Sequence, residues 1–464
     1  MTGQITYRLP GALARKDAPY WDPIEAASDD EIHALQEQKL VQQLIHLREN
    51  SRFYWDKFAD EGVNIHEVST IAGLQSLPFT YKDELRESLA AEPPFGRHRA
   101  ARQADIIQMQ ASSGTTGSPS YVALTQSDAA MWQEMSARGL FSCGIRPGDF
   151  VLHGFSMSKG FVGGTPVLQA IQYMGAVDIP VGADGGVDRL LRAAADLRPR
   201  CVVGAPNFLL HLASEAPKIL GQPASALGVE RVIVGGEPGG GIPAIRQALE
   251  EAWGAKCCEL LGGTDIGVIY WGECDDQSGM HMQCRDFIIT ELLDPETGKV
   301  IAWEKGARGE LVYTAIGRQA SPLLRFRSGD HVEVLDTSCS CGRTGPKIRC
   351  VGRTDDMLIV RGVNVFPSAI QNVVMDMQPA TNGVMRVFAD FEGHTTQANL
   401  IVYVERGPGQ SSDDDAALKA DVETRLRNAL AFKADVRIVR ANVFEKPGVQ
   451  KVALTIRDKS ELPQ

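Results

Sequence analysis

The sequence predicts a two-part α/β protein. Residues 1–352 would form a large N-terminal unit of mixed or parallel sheets and helices, and residues 353–464 a small C-terminal α+β unit. Three observations predict this. A chain of 464 residues exceeds what one hydrophobic core ordinarily serves. From about residue 105 to 330, short apolar runs alternate with helical segments, among them Phe150-Val151-Leu152, Cys201-Val202-Val203 and Val232-Ile233-Val234. Buried strands spaced by helices imply layers with largely parallel pairing. Near residue 350 the pattern changes: 384–405 reads as two strands around a turn, Asp413 to Ala431 as a charged helix and Asp435–Val439 as a strand.

Taken in order, the N-terminal stretch MTGQITYRLPGALARKDAPYWDP lacks the apolar run of a signal peptide, so a cytoplasmic location is expected. Residues Asp29 to Asp60 read as largely helical. Asp29, Asp30 and Glu31 suit the positive end of a helix dipole, and Leu35, Leu40, Leu44 and Leu47 recur at roughly helical spacing. Pro78 ends one element, and Thr80, with Glu84 close behind, is placed to cap the next helix. Ile106 to Met109 reads as a strand running into a Ser/Thr/Gly-rich loop, and Gly352-Arg353-Thr354-Asp355-Asp356 joins the two units.

Composition narrows the function. With 44% hydrophobic and 23% charged residues the chain is an ordinary globular protein. No run of about 18 apolar residues is present to span a membrane. A formal net charge of −11 without a Lys/Arg block argues against a nucleic-acid partner. Any polyanion site must therefore concentrate positive charge locally. The nine cysteines, without an export signal, point to thiols or metal ligands rather than disulfides.

The stretch Ala111 to Tyr121, ASSGTTGSPSY, sets Ser113, Thr115 and Thr116 among Gly114, Gly117 and Pro119. Glycines allow the backbone to approach a polyphosphate closely and turn its N–H groups towards it. It is not a Walker A loop, because no Gly-Lys-Ser/Thr follows. Four further motifs follow in order. Gly235-Gly236-Glu237-Pro238 comes after a strand and can frame a purine. Glu259 to Asp265 ends on Thr264 beside Asp265, a hydroxyl and a carboxylate suited to an α-phosphate and a magnesium ion. Leu324 to Asp330 sets a carboxylate just past a strand, within reach of ribose hydroxyls, and Gly352 to Leu358 leads into Val360 to Pro367.

These five motifs in this order resemble the acyl-adenylate-forming ligases. Tyr20 to Pro23, Phe53-Tyr54, Leu77 to Thr80, Gly309 to Val312 and GRTDDMLIVRGVNVFP look most like the phenylacetate-CoA ligase family, from about residue 19 to 370. The resemblance implies ATP, Mg²⁺, CoA and a small, aromatic or arylalkyl, carboxylic acid as reactants, and a homodimer as the common assembly. It implies phosphate contacts from Ser113, Thr115 and Thr116 in the loop with Gly114 and Gly117, and adenine contacts from Gly236, Glu237 and Pro238. Thr264 would touch the α-phosphate, Asp265 would hold Mg²⁺, Asp330 and Arg353 would contact ribose, and Gly362 would lie beside the CoA arm. Asp355 would be a hinge about which the small unit turns between adenylation and thioester formation.

Cys274-x6-His281 and Cys339-x-Cys341 are two short ligand pairs of the kind that hold tetrahedral zinc. Spacing alone leaves open four reduced cysteines and a loop histidine, with Cys284 able to replace one ligand. The resemblance implies a structural zinc on Cys274, His281, Cys339 and Cys341. His153 is read as an ordinary packing or surface residue. Phe141, Phe155, Phe161, Gly163 and Gly164 are read as walls for the acid, and the five glycines within Gly235 to Gly241 as leaving room beside the acyl group.

The pattern departs from the family at two places. Leu261 and Asp265 stand where Tyr and Glu are usual, and the family's C-terminal Gly-Lys pair is replaced by Glu445-Lys446-Pro447-Gly448-Val449-Gln450-Lys451. Lys446 or Lys451 would then have to serve as the catalytic lysine. Three readings stay open: an acid–CoA ligase; an adenylating enzyme that passes its acyl group to an amine or carrier protein, or adenylates a cofactor; and a nucleotide-binding relative that has lost adenylation.

Overall fold

The protein is described from a computed structural model that covers residues 17–111, 121–158, 160–295, 297–354, 356–361, 363–444 and 453–462. The long N-terminal helical stretch forms as two helices, Asp29–Asn50 and Arg52–Asp60. Ser28 caps the first by accepting from the Glu31 backbone N–H while the Glu31 carboxylate accepts from Ser28 N–H, so both orphan donors are satisfied. The next helix, Lys82–Ala91, starts differently from expectation. Glu84 accepts from the Tyr81 N–H at 2.7 Å, whereas Thr80 is fully buried, its hydroxyl donating to Leu324 O and bonded to Tyr54 Oη. Thr80 ties the N-terminal helices to the sheet rather than capping.

A two-stranded hairpin, β1 (Ile106–Ala111) and β2 (Tyr121–Thr125), precedes the main sheet. Among the described residues that sheet has twelve strands. Five are β3 (Phe150–His153), β4 (Val177–Ile179), β5 (Cys201–Gly204), β6 (Arg231–Val234) and β7 (Lys256–Gly263). They pair in parallel in the order β4-β3-β5-β6-β7, with helices in the connections, as the alternation of apolar runs predicts. Parallel pairing stops at β7. The remaining strands are β8 (Gly267–Gly272), β9 (Met280–Met282), β10 (Ile288–Leu293), β11 (Val300–Ile301), β12 (Arg308–Ala315), β13 (Phe326–Asp336) and β14 (Lys347–Arg353). All their pairings are antiparallel, so the largely parallel expectation holds for one half of the sheet only. Short connections in the second half close hairpins and meanders, which parallel strands cannot use.

Among the described residues, one apolar cluster on the main sheet is centred on Trp132, Phe141, Trp271 and Tyr313, another on Leu209, Leu212 and Trp253, and a third joins Leu40, Leu44 and Tyr54 of the N-terminal helices to Ile289 of the sheet. Beyond β14 the chain builds two small sheets. One joins Leu358–Val360, Val363–Val365 and Thr395–Thr396. The other orders Ala434–Val439, Leu400–Arg406, Thr381–Phe388 and Thr455–Ile456. The helix Asp415–Leu430 packs on them and buries Val422 and Leu426 in a separate cluster with Met385, Val402 and Val436. The Phe366 ring, 5.2 Å from that of His331, and Ser368 Oγ, donating to Val351 O at 3.0 Å, join these small sheets to β13 and β14. Among the described residues no helix is long and apolar enough to cross a membrane.

Candidate active site

The motif residues gather around β7, where the sheet changes from parallel to antiparallel pairing. In open α/β sheets ligands usually bind outside the carboxyl ends of the parallel strands. The loop 235–241 leaves β6 there. Glu237 is half-buried and its Oε1 accepts from the Asn207 backbone N–H and side-chain amide at 3.2 and 3.0 Å. Glu259 of β7 supports the same loop from below, accepting from Gly239 N–H at 3.1 Å. Arg246 closes the network by donating to Gly240 O at 2.5 Å and to both Glu273 oxygens at 2.7 and 2.8 Å. Burial, with Glu273 adding repulsion, pushes the Glu259 carboxyl up to about 7.

The glycines of this loop do not leave the room expected beside an acyl group. A Cβ on Gly239 would run into the Pro206 ring, and one on Gly240 would lie 2.7 Å from Glu259 Cβ. They are small because the loop is pressed onto its supports. Gly236 alone is open, its φ of +85° suits glycine, and its Cβ position lies 4.0 Å from the Phe155 ring.

Thr264 and Asp265 form the tip between β7 and β8. Thr264 is buried and Ile266 N–H donates to Gly263 O at 3.1 Å, closing the turn. Two cationic side chains meet this tip. Lys82 Nζ lies 3.3 Å from Asp265 Oδ2, and Arg318 Nη1 donates to Asp265 O at 2.8 Å and Ile266 O at 3.0 Å. Tyr270 Oη sits 3.2 Å from where a Cβ on Gly263 would lie, and its ring packs edge-on against Tyr313 at 5.1 Å.

Asp330 and Arg353 come together as well. Asp330 lies within β13 rather than just past a strand, in direct register with Arg353 of β14. Arg353 Nη1 donates to Asp330 Oδ1 at 2.5 Å and Nη2 to Ser328 O at 3.3 Å. Next to them Thr354 N–H donates to Gly329 O at 2.7 Å. The loop bearing Ser113, Gly114, Thr115, Thr116 and Gly117 lies outside the described residues, but its stems are placed. Ala111 and Tyr121 are paired, and Ala111 N–H donates to Gly160 O at 2.9 Å. Asp355, Gly362, Lys446 and Lys451 also lie outside the described residues.

Of the residues read as acid-pocket walls, Phe155 and Phe161 are half-buried with ring centroids 6.4 Å apart, and Gly163 is wedged between them. Phe141 is not with them. It is fully buried on the helix Gln126–Ser142, against Trp21 at 5.9 Å and under the Arg146 guanidinium at 3.8 Å. His153 does more than pack, since its two ring nitrogens lie 3.0 Å from Asp178 Oδ1 and 2.8 Å from Gly163 O. It thereby holds the Phe161–Gly164 segment to β4.

Cys274, His281, Cys339 and Cys341 bring one ligand atom each to within 4.8 Å of one another. The Cys274 and Cys339 sulfurs are 3.7 Å apart, and Cys341 Sγ is 3.6 Å from His281 Nε2. A tetrahedral ion with bonds of about 2.3 Å to sulfur separates its ligands by about 3.8 Å, so the cage has the right size. The hydrogen bond between the Cys274 and Cys341 thiols lowers the latter and raises the former. Cys284 is not an alternative ligand. It is fully buried, with its sulfur 3.7 Å from Met135 O.

Lys82, Arg318 and Tyr270 escaped the reading of the sequence. Lys82 is one charged residue in the first turn of a helix, and Arg318 one in a Gly-Arg-Gln loop after β12. No local pattern separates either from a solvated residue.

The chain is similar to known proteins over most of its length. The AMP-binding enzyme family matches residues 27–317, and its C-terminal domain family matches residues 362–456. A phenylacetate-coenzyme A ligase of Thermus thermophilus is 32% identical over 422 residues, which is 89% of this chain and 92% of that protein. A 2-hydroxyisobutyryl-CoA ligase in its postadenylation state, in complex with 2-HIB-AMP, superposes with a TM-score of 0.88 at 26% identity, covering 98% of this chain and 95% of the other. The same ligase with 2-HIB-AMP and CoA in the thioesterification state gives 0.71 at 27% identity and the same coverage. This chain therefore belongs to the phenylacetate-CoA ligase family of the AMP-binding enzymes, the AMP-forming acid–CoA ligases.

Proposed function

We propose that this chain is an ATP-dependent ligase that converts an aromatic or arylalkyl carboxylic acid to its CoA thioester through an acyl-adenylate. The observation that carries this is that Tyr121, a stem of the 111–121 loop, and Asp265 line one cavity, while Asp265 and the paired Asp330 and Arg353 all lie near enough to Tyr270 to act on it electrostatically. In the first step a carboxylate oxygen attacks the α-phosphorus of ATP and pyrophosphate leaves. In the second a CoA thiolate attacks the acyl carbon and AMP leaves.

In this reading Ser113, Thr115 and Thr116 bind the outer phosphates, Gly236, Glu237 and Pro238 frame the adenine, and Asp330 with Arg353 holds the ribose. Thr264 meets the α-phosphate and Asp265 holds Mg²⁺, which would neutralise phosphate charge as the acid attacks. Lys446 or Lys451 supplies the remaining cation. Phe155 and Phe161 flank the acid, and the names of the curated relatives favour an aryl group there. Residues 353–464 move as a unit about Asp355, with Gly362 meeting the CoA arm in the second pose. The better match to the postadenylation state than to the thioesterification state supports assigning the described conformation to the first pose. Zinc on Cys274, His281, Cys339 and Cys341 would be structural, tying the 274–281 loop to the turn after β13, because four protein ligands close the site.

ATP–pyrophosphate exchange without CoA, over a panel of aryl and arylacetic acids, tests the reading. Exchange with an aryl acid, lost in either Lys446→Ala or Lys451→Ala, is expected, and added CoA should then yield thioester. Exchange with no acid in a chain that still binds ATP would overturn adenylation. Acyl transfer to other thiols (as thioester) or to amines (as amide) but not to CoA would overturn the acceptor.

A further inference from the structure

Arg318 follows β12 in a loop held on both sides. Its backbone N–H donates to Gln43 Oε1 and its carbonyl accepts from Gln43 Nε2, both at 3.0 Å. Gln319 and Ala320 N–H donate to the fully buried Asp128 at 2.7 and 2.9 Å. The side chain is 2% exposed and is aimed at the Thr264–Asp265 tip, where Nη1 donates to the carbonyls of Asp265 and Ile266. Among the described residues Nε and Nη2 have no hydrogen-bond partner, and the guanidinium lies 5.3 Å from the Trp132 ring.

No carboxylate among the described residues pairs with it. Asp128 has turned both oxygens to backbone N–H groups, and Asp265 offers its carbonyl, not its carboxylate. Burying a cation whose nearest carboxylates, Asp128 and Asp265, act on it only from beyond ion-pair contact is costly, and a neutral donor would satisfy two carbonyls more cheaply. Arginine also stays charged under these conditions. The charge itself is thus the feature that asks for a use, and it stands directly behind the turn assigned to the α-phosphate.

We propose that Arg318 is a positioning residue for adenylation, fixing the Thr264–Asp265 turn and placing a buried positive charge behind it. This rests on the adenylation reading above. As the acid attacks, negative charge grows on the phosphoryl oxygens in front of the turn, and a fixed cation behind it lowers the energy of that state more than of bound ATP. The field is preorganised because the two carbonyl bonds and the Gln43 and Asp128 contacts leave the guanidinium no room to turn away.

The test uses the full chain as wild type, Arg318→Met, Arg318→Gln and Arg318→Lys. Exchange is measured with the acid panel, as kcat and KM for ATP per folded molecule, alongside the melting midpoint. Arg318→Met and Arg318→Gln are expected to lose about tenfold or more in kcat with KM for ATP changed by about threefold at most. Arg318→Lys, which keeps the charge, should recover most of the loss. Wild-type kcat in Arg318→Gln, or a loss in Arg318→Lys equal to that in Arg318→Gln, overturns the assignment whatever the midpoint does. If Arg318→Met does not fold, the Lys–Gln comparison decides alone. Silence of the wild type with every acid overturns the adenylation reading, and the assignment of Arg318 with it.

Discussion

Arg353 and Asp330 face each other across adjacent strands, with Arg353 Nη1 donating to Asp330 Oδ1 at 2.5 Å. The bond holds the carboxylate in one orientation while leaving its second oxygen for a ligand. It also ties β13 to Arg353, the last residue of β14 and two positions before the proposed hinge. Asp330→Asn keeps the shape but removes the charge that accepts from Arg353 and from ribose hydroxyls. We expect KM for ATP in the exchange reaction to rise about tenfold, the scale of one charge-assisted hydrogen bond, with a smaller fall in kcat. An unchanged KM would remove Asp330 from the nucleotide site.

Lys82 sits on Asp265 at 3.3 Å, with side chains 34% and 13% exposed. A magnesium ion at Asp265 must displace or share with this ammonium. Lys82→Met should therefore lower the Mg²⁺ concentration for half-maximal exchange by about threefold, while Asp265→Asn should raise it by about tenfold or more. A Mg²⁺ titration of exchange in both variants measures this, and no change in Asp265→Asn would exclude it as a ligand.

The Cys3His cage predicts one zinc per chain by elemental analysis. Cys341→Ser should lose that zinc and lower the melting midpoint, and a strong chelator should do the same to the wild type at elevated temperature. Because Glu273 precedes Cys274 and is bonded to Arg246, which holds Gly240, the metal-free chain should also bind ATP more weakly. Full zinc occupancy in Cys341→Ser would overturn the ligand set.

His98 is buried against Ser88, with Nδ1 2.9 Å from Ser88 Oγ, and burial lowers it to about 4. A histidine whose folded value is depressed contributes stability that is fully present above its unfolded value near 6.5 and is lost as pH falls towards 4. The loss should approach about 3 kcal/mol over that window. Denaturant melts between pH 4 and 7 should show a flatter profile in His98→Phe than in the wild type. Parallel profiles would assign the acid sensitivity elsewhere.

Local order was legible where period and punctuation agree. The strand assigned to Cys201-Val202-Val203, the helix assigned to Asp413 to Ala431 and the strand Asp435–Val439 appear as Cys201–Gly204, Asp415–Leu430 and Ala434–Val439. Thr80 was misread because a hydroxyl near a helix start looks the same whether it caps that helix or, as here, bonds the Leu324 carbonyl 244 residues away. Phe141 and Phe155 are equally aromatic in the sequence, yet one fills the core and the other borders the crevice.

The sequence by itself determined the family and the α/β class, and it supplied the residue types of the proposed nucleotide and metal sites, because those depend on short motifs whose chemistry is local. Tertiary structure alone decided which cations meet Asp265. Lys82 arrives from a helix 183 residues away and Arg318 from a loop 53 residues on, and only the change from parallel to antiparallel pairing at β7 brings both to the same turn. Side-chain charge is written in sequence, but the distance over which it acts is set by the packing of elements remote along the chain.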